Sequence, residues 1–146
     1  MSEPSAVRRR ILVVDDDRAI LELVCTRLSL AGYDAFNARN GREALARLNS
    51  LRPAAMVLDL SMPELDGFGV LEAMGKVGTA RAPTLVLTAR HSAADVKRAV
   101  GLGARDYLTK PFNADQLLRR VSRLFRPPAE QRSLEDVISS VEQLLD

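Results

Sequence analysis

The stretch Ile11-Leu12-Val13-Val14-Asp15-Asp16-Asp17 decides how the rest of the chain is read. Four aliphatic residues run together without polar alternation. That pattern suits a strand covered on both faces, as in a parallel sheet. Three acids follow where the strand should stop. Next, Ala19–Ala31 places Ile20, Leu23, Val24, Leu28 and Ala31 at helical spacing, and Gly32 supplies the stop expected past a helix C-terminus.

The alternation continues outward from this unit. Asp34–Ala38 reads as a weak strand and Gly41–Leu51 as a helix that stops before Pro53. Ala55–Leu58 is a buried strand, Pro63 and Gly67 punctuate a loop, and Gly67–Val77 has helical period. Thr84–Leu87 is a fourth apolar strand, Ala93–Leu102 a helix closed by Gly103, and Tyr107-Leu108 a short fifth strand. Asn113 is placed to cap a last helix whose apolar stripe is Leu117, Leu118, Val121, Leu124 and Phe125. Five β/α units predict an open α/β sheet with helices on both faces, joined by right-handed crossovers. They are too few for an eight-fold barrel.

Pro127-Pro128 break this pattern. The sequence therefore divides into a domain over 9–126 and a segment over 127–146, a proline-containing linker with an amphipathic helix. In the latter, Leu134, Val137, Ile138, Val141, Leu144 and Leu145 follow 3–4 spacing, and Ser133 with Asp136 is placed as its cap. A single helix of this length is not stable by itself. It packs on the domain, pairs with another copy, or leads into a further element.

Composition narrows the class. The chain has 146 residues, 47% apolar and 27% charged, in the range of a globular domain with a real core. A net charge of +2 is too small to indicate a nucleic-acid binder, and Arg8–Arg10 read as a solvated lead-in to the first strand. The residues after Phe125 are too few for a DNA-binding domain. Cys25 is the only cysteine, which excludes an internal disulfide, and its apolar helical setting predicts a buried, inert thiol. Met1–Arg10 has no apolar core segment and no run approaches the ~18 residues of a membrane span. These features predict a cytoplasmic protein.

In open α/β sheets ligands bind at the carboxyl ends of the strands. Here the first strand ends in Asp15-Asp16-Asp17, the third in Asp59, the fourth in Thr88-Ala89 and the fifth in Lys110-Pro111. One acid after a strand is usually a turn or a helix cap. The conjunction is different, because it brings several carboxylates, a hydroxyl and an ammonium to one rim. Crowded carboxylates raise one another's pKa and stay ionised only beside a cation. Hard oxygen ligands with room for water suit Mg²⁺. A metal among carboxylates, facing a lysine and a threonine, is a phosphoryl-handling arrangement with an attacking carboxylate. His91 is the single histidine and reads as a solvated loop residue; Met56, Met62 and Met74 read as packing.

The sequence resembles the receiver domains of bacterial response regulators, the CheY-like family, over about Arg9 to Arg126. The resemblance rests on Ile11–Asp17, on Leu58-Asp59-Leu60-Ser61-Met62-Pro63-Glu64-Leu65-Asp66-Gly67, on Val86-Leu87-Thr88-Ala89, and on Gly103–Phe112. It implies a doubly wound parallel sheet of order 2-1-3-4-5. It implies a signalling switch rather than a turnover enzyme: Asp59 accepts a phosphoryl group from a histidine kinase or phosphotransfer protein, catalyses its own phosphorylation, and loses the group slowly. Asp16 and Asp59 would hold Mg²⁺ with the backbone carbonyl of Ser61, and Asp15 would act indirectly. Lys110 would contact the phosphoryl group, as would the Thr88 hydroxyl and the Ala89 amide. Tyr107 would be the aromatic switch residue that turns inward when Thr88 moves. Lys110-Pro111 would carry a cis peptide. Asp17 receives no metal role. Ser61 and Arg90 occupy two variable positions that tune dephosphorylation in this family; Arg90 either reaches the phosphoryl group or is a solvated loop arginine. The output would be a partner or homodimer surface over 93–125, with Asp106 paired to Arg119 or Arg120, or the helix over 133–145.

Asp15-x-Asp17 after an apolar strand is also similar to the nucleophile motif of haloacid dehalogenase-type phosphatases, which carry a later Thr and Lys in the order of Thr88 and Lys110. That family needs a further acid pair on a strand after the lysine. After Lys110 the domain offers Asp115, inside a predicted helix, and Asp59 with Met62-Pro63 would have no explanation.

Overall fold

The computed structural model describes residues 7–76, 82–89, 92–127 and 133–143. The chain alternates strand and helix: β1 Arg10–Val14, α1 Arg18–Leu30, β2 Asp34–Ala38, α2 Gly41–Leu51, β3 Ala55–Asp59, α3 Gly67–Lys76, β4 Thr84–Ala89, α4 Ala93–Gly101, β5 Asp106–Lys110 and α5 Ala114–Arg123, followed by α6 Leu134–Glu142. The five strands form one parallel sheet in the order β2-β1-β3-β4-β5.

Strand alternation explains why β1 is apolar from Ile11 to Val14. Leu12 and Val14 face one side of the sheet, where they join Met56, Leu58 and Val86 beneath α2, α3 and α4. Ile11 and Val13 face the other, with Val57, Leu85 and Leu87 beneath α1 and α5. Successive side chains point to opposite faces, and both faces are covered, so no position is left for a polar residue.

Helix ends follow local chemistry. Asp17 accepts from the amides of Ala19 and Ile20 and so caps α1. Asn40 caps α2 through the Glu43 amide. Asn113 and Gln116 form a reciprocal capping box on α5, and Ser133 caps α6 through the Asp136 amide. Gly32 follows α1 at φ 98° and Gly103 follows α4 at φ 112°, the left-handed conformation that terminates helices cheaply with glycine.

Several expectations are corrected. The buried stripe of α1 is Leu21, Val24 and Leu28, whereas Leu23 is 44% exposed and Ala31 lies outside the helix on the surface. Both sets have helical spacing; only the sheet's position chooses between them. The fifth strand runs over five residues rather than two, because β4 offers a full ladder from Leu85 to Ala89. The end of the predicted third helix at Val77, and Pro128, Leu144 and Leu145, lie outside the described residues. Of the outcomes open for the C-terminal segment, packing on the domain is the one observed. Val137 and Val141 are fully buried in the cluster that holds Val96, Ala99 and Val100 of α4. Met56, Met62 and Met74 are buried in packing positions as expected. Cys25 is half-buried, and burial pushes its thiol above the ordinary range.

Candidate functional site

The strand order reverses between β1 and β3, and the crevice at that switch point is where such sheets bind ligands. β1 delivers Asp15 and Asp16 there, and β3 delivers Asp59. One carboxylate oxygen from each of these three acids lies within 4.8 Å of the other two. Asp15 is fully buried and Asp59 is 3% exposed, while Asp16 is exposed to solvent.

Lys110, at the end of β5, reaches across β4 to this group. Its Nζ lies 3.0 Å from Asp15 Oδ2 and 3.4 Å from Asp59 Oδ1. The Asp15 carboxylate also accepts from the Asp17 amide, 3.0 Å away, and Asp59 accepts from the Ser61 amide at 3.3 Å. Asp15 therefore sits behind the rim, bonded to the lysine and to its own loop. Asp16 is exposed at the rim, and Asp59 is buried beside it.

The electrostatics follow from this crowding. Burial, and then the neighbouring Asp15 carboxylate, push the Asp59 carboxyl from 3.8 up to about 6, against the pull of Lys110 and the Ser61 amide. For Lys110, burial acts to lower the pKa, but its bonds to Asp15 and Asp59 outweigh this and the net shift is upward. The lysine thus remains charged where it is needed.

Thr88, next to last in β4, is buried on the same rim; its hydroxyl donates to the Ala89 carbonyl at 3.4 Å. The peptide between Lys110 and Pro111 is cis. Tyr107 is already turned inward, with its ring in the same cluster as Val137 and Val141. Ser61 is exposed at the mouth. Arg90 and His91 lie outside the described residues.

Two features escaped the sequence, Gly67 and Lys97, and a third, the partner of Asp106, was left open between Arg119 and Arg120. Gly67, at the start of α3, is so close to β3 that an added Cβ would meet the Asp59 carbonyl at 2.6 Å and the Leu60 Cα at 2.8 Å. Its place beside a turn signal does not reveal that contact. Arg120 rather than Arg119 pairs with buried Asp106, at 2.9 Å, and also donates to the Tyr107 carbonyl at 3.1 Å. Lys97 of α4 pairs with Glu142 of α6 at 3.2 Å, a link between segments that sequence spacing cannot connect.

The order of strands, the acidic switch point and the lysine opposite define a doubly wound α/β domain of the CheY-like class. Residues 11–122 match the response regulator receiver domain, and the chain belongs to that family. It is 48% identical over 117 residues to the response regulator MprA of Mycolicibacterium vanbaalenii, a match covering 80% of this chain and 50% of that protein. The chain thus spans about half the length of the curated relatives it matches. Among solved structures it is similar to the Vibrio cholerae chemotaxis protein CheY4, with a TM-score of 0.76, 32% identity, and coverage of 82% of this chain and 100% of that one. A response regulator receiver domain from Bermanella marisrubri has a TM-score of 0.76 at 39% identity, covering 82% of this chain and 99% of that one. The chain is a receiver of two-component signalling. Among the described residues no helix is long and apolar enough to cross a membrane.

Proposed function

We propose that Asp59 is the phosphoacceptor of a Mg²⁺-dependent switch. The observation that carries this reading is the buried pair of Asp15 and Asp59 bridged by Lys110, with Asp16 open beside them. A carboxylate at the end of β3, beside Lys110, would attack phosphorus in line. An Asp59 oxygen forms a bond to phosphorus as the P–N bond of a phosphohistidine breaks, and the imidazole leaves. The donor is a sensor histidine kinase or a phosphotransfer protein.

The oxygen-only donor set, partly open to water, fits Mg²⁺. Asp16, Asp59 and the backbone carbonyl of Ser61 would hold it, and Asp15 would act through Lys110 and water. When bound, the ion neutralises the crowded carboxylates and the phosphoryl oxygens. Lys110 moves its charge to the phosphoryl group. The Thr88 hydroxyl gives up the Ala89 carbonyl and turns to that group together with the Ala89 amide. Tyr107, already inward, is fixed there. Ser61 at the mouth would help set how fast water removes the phosphoryl group; Arg90, by the family pattern, would tune the same step or be a solvated loop arginine.

We assign residues 9–126 to the receiver unit and 127–146 to a linker and helix. The output is a change of protein surface over 93–125 or the helix over 133–145, read by a partner or a second copy; nucleic acid is not its direct ligand.

The test is labelling by a small phosphodonor such as acetyl phosphate with Mg²⁺. The wild-type chain takes up one acid-stable, hydroxylamine-sensitive label and Asp59→Asn takes up none. Labelling that persists in Asp59→Asn, or steady multiple turnover of an aryl phosphate, overturns the assignment.

A further inference from the structure

α6 does not lie at random on the domain. It packs on α4 through Val137 and Val141, one helical turn apart and both fully buried, with Ile138 packed at their side. The buried cluster it completes contains Val96, Ala99 and Val100 of α4 and Tyr107 of β5. Lys97 of α4 and Glu142 at the end of α6 add an ion pair at 3.2 Å. The α4 face therefore fits a short amphipathic helix with two β-branched apolar residues at i, i+4 and an acid at its C-terminal end.

The other end of α4 is tied to the rim. The Ala89 carbonyl is shared: it accepts from the Thr88 hydroxyl at 3.4 Å and from the Ser92 amide, the residue before α4, at 3.2 Å. Ser92 makes no side-chain cap, so the start of the helix rests on backbone bonds: this one, and the Val96 amide donating to the Ser92 carbonyl at 3.0 Å. Anything that draws Thr88 and Ala89 toward Asp59 disturbs the acceptor on which α4 begins. α4 has nine residues, and α6 presses on it from outside.

We propose that α6 is a releasable cover on α4, docked in the phosphoryl-free state and displaced by phosphorylation of Asp59. The inference rests on Asp59 being the phosphoacceptor. Both events act on one short helix, so they are linked, and the linkage is reciprocal: what loosens α6 favours the phosphoryl-bound state. A nine-residue helix has little stability of its own, which makes its release cheap. Release uncovers the apolar face that α6 occupies on α4.

The experiment uses the 146-residue chain. Beryllofluoride with Mg²⁺ serves as the phosphoryl mimic, and its binding is followed by fluorine NMR. Amide hydrogen exchange is followed at the same time over residues 134–142. The mimic should raise exchange in α6 by about 5-fold or more in the wild type and leave it unchanged in Asp59→Asn. Val137→Asp/Val141→Asp should bind the mimic more tightly, by a similar factor; should that variant not fold, Val141→Ala gives the same sign with a smaller change. If the mimic binds at Asp59 while exchange in α6 and the variant's affinity stay as they were, the cover is refuted and the phosphoacceptor reading stands. If the mimic fails to bind, both fall together.

Discussion

Asp59 concentrates the tension of the site. Its folded pKa lies above its ordinary value, so the fold favours the protonated form. The corresponding stabilisation is complete below 3.8 and is lost as pH climbs through about 6. The metal-free chain should therefore lose stability between those values, on the order of 1–2 kcal/mol once the open rim is allowed for, in urea titrations at successive pH. In Asp59→Asn that slope should be absent and the neutral-pH chain should be more stable than the wild type. Lys110 has the opposite part. Lys110→Ala leaves Asp15 and Asp59 facing each other without their shared cation, and breaking a buried pair in this way costs roughly 2–4 kcal/mol. The same variant should raise the Asp59 pKa further, read by carbon NMR titration. Sequence identified these residues because each ends a strand; Arg120, which meets Asp106 and the Tyr107 carbonyl from the second turn of α5, carried no such mark and only its geometry singles it out from Arg119.

Elements differ in how far their sequence determines them. β1, β3 and β4 are unbroken apolar runs whose burial on both faces leaves one interpretation. The caps of α5 and α6 were equally plain, because a side chain at the right offset bonds a neighbouring amide wherever the helix sits. Removing one tests this: Asn113→Ala should destabilise the chain by about 1 kcal/mol, without altering phosphoryl labelling, since α5 packs on the face away from α4. α1 was harder. Leu21, Leu23, Val24 and Leu28 permit more than one stripe, and which one is buried depends on the angle at which α1 meets the sheet. α3 shows a contact of another kind. Gly67→Ala should force the helix away from β3 at the Asp59 carbonyl, costing about 1–3 kcal/mol and slowing labelling several-fold, checked by thermal melting and acetyl phosphate kinetics.

At the scale of the molecule, two buried layers hold the sheet from opposite sides. Leu87→Ala, in the layer under α1 and α5, should cost about 2–5 kcal/mol in chemical denaturation. Leu30→Ala, at a side chain 76% exposed, should change stability by less than about 0.5 kcal/mol. The sequence by itself determined the alternation of strand and helix, the fold class, and the identity of the rim residues. Those properties depend on local period and on what sits at a strand's end, and both are written within a few neighbouring residues. Tertiary structure decided the rest. It raised Asp59 toward neutrality, because burial and the approach of Asp15 exist only after β1 and β3 are paired. It brought Lys110 to two acids across an intervening strand. It also seated α6 on α4, where three outcomes had been open: two valines one turn apart specify an apolar stripe, and only the assembled domain specifies what covers it.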